Sequence, residues 1–214
     1  MKITLLCSDP NHPVNAYLER WKSDTKNDLS VELIRKKAEA SGGDILFLIS
    51  CAEIVTAKDR KKYQACLVLH ASDLPRGRGW SPHIWELANG AEEITLSLLE
   101  AEDKVDSGRI WKKMHITVPK HALWDEINHL LFQAEVDMID FAVNNLRAVN
   151  PYAQPIGIEP TYYRLRTPED SRIDANGAIL AQFDKIRVCD PNRYPAYFDY
   201  LGHRYVLRLE KIND

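Results

Sequence analysis

Short, almost wholly apolar runs separated by polar loops recur through the first half of the chain. Residues 3–7 and 45–49 are typical of strands that are buried on both faces of a sheet. Residues 66–69 form a third run of this kind, which stops at His70. Two later stretches alternate apolar and polar positions as half-buried strands do: residues 93–100 and 110–118.

Helical periodicity is strongest over residues 124–149, where apolar side chains recur every three or four positions and define one wide face. Shorter helices are predicted at residues 15–21, 57–63 and 84–89. Residues 22–40 fit a strand or a helix equally well. Strands that alternate with helices predict an α/β fold with a mostly parallel sheet.

The composition changes near residue 150, where prolines become frequent and the alternation of strands and helices stops. We therefore predict a main domain at residues 1–150 and a small C-terminal extension at residues 151–214 that packs on it. Within the extension, residues 178–188 are compatible with a helix. Two short apolar stretches flank Leu201-Gly202-His203 and predict a β-hairpin.

Charge and composition exclude several classes of function. The net charge of −3 and the pI near 6.2 argue against a protein that binds a nucleic-acid backbone, which requires a basic surface. No apolar window approaches the roughly 20 residues of a membrane span, and no secretory signal precedes the first strand. Four scattered cysteines without metal-ligand spacing favour a reduced, cytoplasmic protein with no metal site. The oligomeric state is not fixed by the sequence, and a homodimer stays open.

The end of the third apolar run carries the strongest candidate chemistry. His70 is its first polar residue, and the loop that follows is stiffened by Pro75 and loosened by Gly77 and Gly79. Asp106 can return to His70 if the intervening strands are neighbours. A histidine oriented by an aspartate can stabilise an oxyanion and move a proton, as acyl transfer to an amine requires. A structural, hydrogen-bonded histidine is the alternative.

Two motifs resemble those of a known family. Residues 70–79, His-Ala-Ser-Asp-Leu-Pro-Arg-Gly-Arg-Gly, resemble the His-x-Ser-Leu-Leu-Pro-x-x-Arg-Gly signature of formyltetrahydrofolate-dependent formyltransferases. Residues 105–110, Val-Asp-Ser-Gly-Arg-Ile, resemble that family's Val-Asp-Ser/Thr-Gly-x-Ile loop at matching separation. The resemblance covers about residues 1–150. It implies a Rossmann-like sheet, N10-formyltetrahydrofolate as the one-carbon donor, and His70 and Asp106 as the catalytic pair.

The chain departs from this family two residues before the histidine. The family usually has an asparagine there, whereas this chain has Val68, which cannot donate a hydrogen bond. Loss of one oxyanion donor can cost about 3–4 kcal/mol of transition-state stabilisation. We hypothesise that Ser50 or Asn11 supplies the missing donor.

The resemblance also implies where the folate binds. In the family the pterin lies against a strand exit and an acidic loop, and small side chains at the exit allow a flat ring to approach the backbone. Phe47 has a plain core role as its alternative. The implied folate contacts are Phe47, Ser50, Cys51, Ala52, Ile54, Glu102, Asp103 and Lys104.

The acceptor is indicated by the extension and by the loop after the first strand. Residues 162–174 and 193–200 are similar to the segment that follows the catalytic domain in sugar N-formyltransferases, with its Arg-Thr-Pro, Arg-Ile-Asp and Tyr-Pro-x-x-Phe elements. This implies an amino sugar, carried by a nucleotide, as the small-molecule acceptor in surface-glycan biosynthesis. The candidate acceptor contacts are Ser8, Asn11, His12, Arg78 and Trp80. Arg78 could instead pin its loop, and Trp80 could belong to the core.

Three alternatives stay open. The acceptor could be another amine, such as an amino acid, a peptide or methionyl-tRNA. The chain could be a folate-binding module without catalysis, a reading that Val68 permits. An unrelated nucleotide-binding protein is disfavoured because neither Gly-x-Gly-x-x-Gly nor a phosphate-binding Gly-x-x-x-x-Gly-Lys-Ser/Thr loop occurs.

Overall fold

The computed structural model describes residues 1–25 and 28–212. Within them the strands, in chain order, are β1 (Lys2–Leu6), β2 (Ser30–Ile34), β3 (Gly43–Leu48), β4 (Tyr63–His70), β5 (Arg78–Gly79), β6 (Glu93–Glu100), β7 (Ile110–Thr117), β8 (Tyr162–Tyr163), β9 (Ala196–Tyr200) and β10 (His203–Leu207). The α-helices are α1 (Val14–Asp24), α2 (Ala57–Arg60), α3 (Pro82–Ala88), α4 (Trp124–Asn145) and α5 (Phe183–Arg187).

Six strands form the central sheet, in the order β2-β1-β3-β4-β6-β7. Strands β2, β1, β3 and β4 are parallel, whereas β6 and β7 join antiparallel at one side. The predicted Rossmann-like, mostly parallel sheet flanked by helices is confirmed. Because β4 and β6 are neighbours, the loop that leaves β6 can bring Asp106 back to His70.

The two faces of the sheet explain why its central strands are apolar at nearly every position. In β1 and β3, odd-numbered positions such as Leu5 and Phe47 point into a large core that α1 and α4 cover. Even-numbered positions of these two strands, such as Leu6 and Leu46, point into a smaller cluster on the opposite face. Strands covered on both faces lose the alternation that marks half-buried strands.

The extension runs back across the main sheet. Tyr152 forms an antiparallel bridge to Ile110 of β7, and β8 pairs in parallel with β5. Beyond them β9 and β10 form the predicted hairpin. Arg193, just before the hairpin, forms an ion pair with Asp9 in the loop after β1. The extension therefore contacts both loops that carry the candidate acceptor residues.

Several local predictions differ from the structure. In the ambiguous stretch 22–40, residues 30–34 form β2 and Lys37–Glu39 form a single 3-10 turn, while residues 26–27 lie outside the described part. The helix predicted at residues 57–63 ends early because Tyr63 belongs to β4, where its hydroxyl donates to Thr4 Oγ1 at 3.1 Å.

Two longer helix predictions are also shortened. Helix α4 ends at Asn145 rather than continuing to residue 149. In the stretch 178–188, only Phe183–Arg187 is α-helical, and a 3-10 turn at Leu180–Gln182 precedes it. Among the described helices, none has both the length and the apolarity to cross a membrane. The four cysteines are unpaired thiols.

Candidate active site

His70 is the last residue of β4, and only 8% of its surface is exposed. Its Nε2 lies 2.8 Å from the carbonyl oxygen of Gly77 and 3.7 Å from Oδ2 of Asp106. A carbonyl only accepts hydrogen bonds, so Nε2 carries the hydrogen and Nδ1 of the neutral ring is an acceptor. The nitrogen available for chemistry is therefore Nδ1.

Asp106 lies in the connection between β6 and β7 and is also buried, with 9% exposed. Its Oδ2 accepts a hydrogen bond from the backbone N–H of Gly79 at 2.9 Å. Its backbone has a φ of +54°, in the left-handed region that is unfavourable for most residues with a side chain. The surrounding contacts must therefore hold this loop in place.

The two glycines of the His70 loop are required by close packing. A Cβ on Gly77 would lie 2.8 Å from Cβ of Ser72, and a Cβ on Gly79 would lie 2.4 Å from the carbonyl oxygen of Tyr163. Both residues also have positive φ, +71° and +96°. Their small size lets the loop lie against β8 and brings the Gly79 N–H to Asp106.

His12, a predicted acceptor contact, meets Ser50, a predicted folate contact. The backbone N–H of Val14 donates to Nδ1 of His12 at 3.3 Å, so the hydrogen is on Nε2, which lies 3.2 Å from Oγ of Ser50. Burial, and then the charge of Arg193, lower the pKa of His12 to about 4. The ring is neutral at pH 7, and the Ser50 hydroxyl keeps its hydrogen for another acceptor.

Ser8, in the loop after β1, also contacts the exit of β3. Its hydroxyl donates to Sγ of Cys51 at 3.4 Å and accepts from the N–H of Ala52 at 3.0 Å. Asn11, another predicted contact, is exposed on the same loop. The structure therefore brings the loop after β1 and the exit of β3 together.

The remaining predicted folate contacts divide into two groups. Phe47 is fully buried in the core, so its side chain offers no surface to a folate ring and the core role is the correct one. Ile54 is exposed, as are Glu102, Asp103 and Lys104 in the acidic loop. Asp103 lies 2.7 Å from a guanidinium nitrogen of Arg60. All the predicted folate contacts other than Phe47 are exposed or half-buried.

Arg78 and Trp80 have different environments. Arg78 is 6% exposed, and its guanidinium donates to Oε1 of Gln154 at 2.6 Å and to the hydroxyl of Tyr162 at 3.3 Å. These bonds favour the loop-pinning role over direct contact with a substrate. Trp80 is 46% exposed, so its ring does not belong to the core and has a free surface.

Sequence reasoning missed two titratable side chains that have a buried, unpartnered polar atom. His83 follows Pro82 in the first turn of α3, and its Nδ1 is buried without a hydrogen-bond partner among the described residues. Burial lowers the pKa of His83 to about 3, helped by the neighbouring His70 and His12. Glu135 lies in the apolar face of α4, and burial raises its pKa to about 8. An acid within an apolar helical face was the available signal for Glu135.

No group of three or more His, Cys, Asp or Glu side chains in the described part of the chain is arranged to hold a metal ion. The buried pair His70 and Asp106 lies where two loops of the Rossmann-like sheet meet, and such a pair is suited to general acid–base chemistry. Residues 5–142 match the family model described as formyl transferase, and the chain belongs to that family.

Curated relatives include the methionyl-tRNA formyltransferase of Rickettsia africae, which is 28% identical over 182 residues. That alignment covers 83% of this chain but 57% of the relative, so the chain spans less than two thirds of its length.

Solved structures share the fold. The methionyl-tRNA formyltransferase from Clostridium thermocellum has a TM-score of 0.81 at 22% identity, covering 95% of this chain and 90% of that one. A sugar N-formyltransferase from a Shewanella species has a TM-score of 0.71 at 14% identity, covering 100% and 99%. HypX from Aquifex aeolicus, in complex with tetrahydrofolic acid, has a TM-score of 0.74 at 20% identity, covering 97% of this chain and 37% of HypX.

Proposed function

We propose that this protein is an N-formyltransferase that moves a formyl group from N10-formyltetrahydrofolate to the amine of an amino sugar carried by a nucleotide. The observation that carries the proposal is the pair of buried groups His70 and Asp106, with Nε2 and Oδ2 3.7 Å apart. Membership of the formyl transferase family supports a role for this pair in formyl transfer.

In the proposed reaction, the neutral amine attacks the formyl carbon, a C–N bond forms, and the bond from that carbon to N10 breaks. Nδ1 of His70 takes up the proton that the amine loses and, once protonated, donates to the oxyanion before passing the proton to N10. Asp106 orients the ring from the Nε2 side and stabilises its positive charge.

The proposed folate site lies between the exit of β3 and the acidic loop. Ser50, Cys51 and Ala52 offer backbone to the pterin, Ile54 contributes an apolar surface, and the loop of Glu102, Asp103 and Lys104 closes the other side. The HypX structure with bound tetrahydrofolic acid supports a folate site in this fold.

Ser50 is the favoured replacement for the asparagine missing at Val68. His12 Nε2 is the donor in their 3.2 Å contact, so the serine hydroxyl is free to donate in turn. Asn11 is the second candidate. If Ser50→Ala and Asn11→Ala both leave turnover unchanged, neither residue is the oxyanion donor.

The amino-sugar acceptor is supported by the Arg-Thr-Pro, Arg-Ile-Asp and Tyr-Pro-x-x-Phe elements of the extension and by the similarity to a sugar N-formyltransferase over almost the whole of both chains. Trp80, with its free ring surface, is the proposed stacking partner for the sugar or base. Ser8, Asn11 and His12 are the proposed polar contacts of the acceptor.

Methionyl-tRNA is the second candidate acceptor. The similarity to methionyl-tRNA formyltransferases over 83% of this chain favours it. The net charge of −3 weighs against it, because binding to an RNA backbone depends on positive charge.

The deciding experiment is mass spectrometry of the protein with N10-formyltetrahydrofolate and a panel of nucleotide-linked amino sugars, free amino acids and methionyl-tRNA. Formylation of a sugar, with matching release of tetrahydrofolate, is expected. His70→Asn and Asp106→Asn should abolish it, while the exposed controls His203→Asn and Asp137→Asn should retain it.

Other results would reject specific parts of the proposal. Formylation of methionyl-tRNA alone would replace the acceptor. Binding of folate without turnover on any acceptor would identify a non-catalytic folate-binding module. Near-normal rates in His70→Asn and Asp106→Asn would reject the assigned catalytic pair.

A further inference from the structure

Gln154 lies beyond the residues that the formyl transferase family model matches, yet it contacts both catalytic loops. It stands in the connection between α4 and β8. Its neighbours Ala153 and Pro155 are exposed, whereas Gln154 is half-buried. A polar side chain turned inward from an exposed segment needs a structural reason.

That reason is a set of three hydrogen bonds. Nε2 of Gln154 donates to the carbonyl oxygen of Asp106 at 2.8 Å and to that of Gly108 at 3.0 Å. Its Oε1 accepts from the guanidinium of Arg78 at 2.6 Å. The amide therefore uses its nitrogen on one loop and its oxygen on the other, and it joins them.

These hydrogen bonds form a closed circuit that includes Asp106. Arg78 precedes Gly79, whose N–H donates to the Asp106 carboxylate at 2.9 Å, and it follows Gly77, whose carbonyl lies 2.8 Å from Nε2 of His70. Gln154 holds Arg78 on one side and the Asp106 backbone on the other. A shift of this single amide would therefore move both partners of the catalytic pair.

Without Gln154, both the backbone conformation of Asp106 and the burial of the Arg78 guanidinium are unfavourable. Asp106 has its φ of +54°, which requires support from neighbouring contacts. Arg78 is buried, and its Nε has no hydrogen-bond partner among the described residues. Removing the amide would leave a buried cation with one bond fewer and two loop carbonyls without this donor.

We propose that Gln154 is a positioning residue for formyl transfer, which fixes the Asp106 carboxylate relative to His70 by bonding to both loops. This inference rests on the proposed function, since it concerns the same His–Asp pair. It assigns part of the active site to the C-terminal extension, which supplies a group that the matched domain lacks.

The loop should stay folded when the amide is removed, because backbone bonds to the extension remain. The N–H of Arg78 donates to the carbonyl of Thr161 at 2.9 Å, and that of Trp80 to the carbonyl of Tyr163 at 3.0 Å. The N–H of Gly77 also donates to Oγ1 of Thr161 at 2.8 Å. Gln154 variants therefore test geometry rather than folding.

The experiment compares Gln154→Ala and Gln154→Glu with the controls Gln133→Ala and Gln133→Glu, which change an exposed glutamine of α4. We expect kcat to fall about tenfold to a hundredfold in both Gln154 variants, with KM for donor and acceptor nearly unchanged. Glutamate should not rescue the rate, because a carboxylate accepts from Arg78 but cannot donate to the Asp106 and Gly108 carbonyls. The Gln133 variants should match the wild type.

A second readout needs no acceptor. The ring 15N chemical shifts of His70, measured by NMR, should change in Gln154→Ala and stay unchanged in Gln133→Ala. Unchanged His70 signals, or a kcat within twofold of the wild type in both Gln154 variants, would overturn the positioning role. If the wild type transfers formyl to no acceptor while the His70 signals still respond to Gln154→Ala, the proposed function fails and the coupling between Gln154 and His70 stands.

Discussion

Glu135 gives the most quantitative prediction for this protein, because it is an acid in the buried face of α4. It is 6% exposed, and its Oε2 has no hydrogen-bond partner among the described residues. Burial raises its pKa from 4.5 to about 8, so the folded protein holds this carboxyl protonated at neutral pH. In the unfolded chain the same group is ionised above about pH 4.5.

This difference makes stability depend on pH. Between about pH 4.5 and 8 the folded state binds one proton more at Glu135 than the unfolded state does, so stability falls as pH rises. The contribution of protonated Glu135 to stability is complete below the pKa of this group in the unfolded chain, and it is lost as pH rises towards the pKa in the folded protein. One pH unit corresponds to about 1.4 kcal/mol, so the loss between pH 5 and pH 7 is about 3 kcal/mol.

The assay is urea denaturation of the wild type and Glu135→Gln at pH 5, 6, 7 and 8. The free energy of unfolding of the variant, minus that of the wild type, should rise by about 3 kcal/mol from pH 5 to pH 7. His12 and His83 also titrate differently on folding, but both proteins contain them and their effects cancel in the difference. Asp137→Asn removes an exposed carboxylate from the same helix and should show no such rise.

A result with no pH dependence would refute this reasoning. If the difference between Glu135→Gln and the wild type stays constant within about 0.5 kcal/mol from pH 5 to pH 8, Glu135 does not titrate abnormally in the folded protein. A glutamine amide in place of the acid adds its own burial cost, but that cost is the same at every pH. The slope of the difference, rather than its absolute value, is therefore the test.

Three further predictions concern other parts of the structure. The pKa of His12 is lowered to about 4, so the stability contributed by its neutral ring is present above about pH 6.5 and is lost as pH falls towards 4. His12→Gln should therefore reduce the loss of stability between pH 7 and pH 4.5, measured by urea denaturation at both pH values. Gly79→Ala should lower both stability and turnover because its Cβ would overlap the β8 backbone. Gly157→Ala shares the strain of a positive φ, but its Cβ meets no atom within 4 Å, so it should lower stability less and leave turnover unchanged. Thermal unfolding and rate assays would contradict this if both variants behaved alike. Phe47→Ala should cost about 3–5 kcal/mol of stability, and folate binding measured well below the melting temperature should persist.

The pattern of apolar residues predicted most of the sheet. Strands β1, β3, β4, β6 and β7 could be predicted because their positions are apolar or alternating and their boundaries are marked by turn residues. Strand β2 could not be predicted, because Val31, Leu33 and Ile34 satisfy the period of a strand and of a helix equally. Parallel pairing with β1 decides the outcome there, and pairing is a non-local interaction.

The site shows the same division. His70 and Asp106 could be predicted as a pair because both lie in motifs of fixed local sequence, and the structure brings them together because β4 and β6 are neighbours. Phe47 could not be separated from a ligand contact, since an apolar residue on a buried strand looks the same whether it meets core or ligand. Gln154 gave no signal, because a single glutamine in a loop has no periodicity.

The sequence by itself determined the positions of the buried strands, the family motifs and the residues capable of proton transfer, because periodicity, turn chemistry and motif spacing are local properties. Only the tertiary structure decided which of these residues meet. The 3.7 Å approach of His70 and Asp106, the bonding of both loops by Gln154 and the burial of Glu135 depend on segments far apart in the chain. Burial sets the pKa values and packing sets the distances, and both exist only once distant segments have come together.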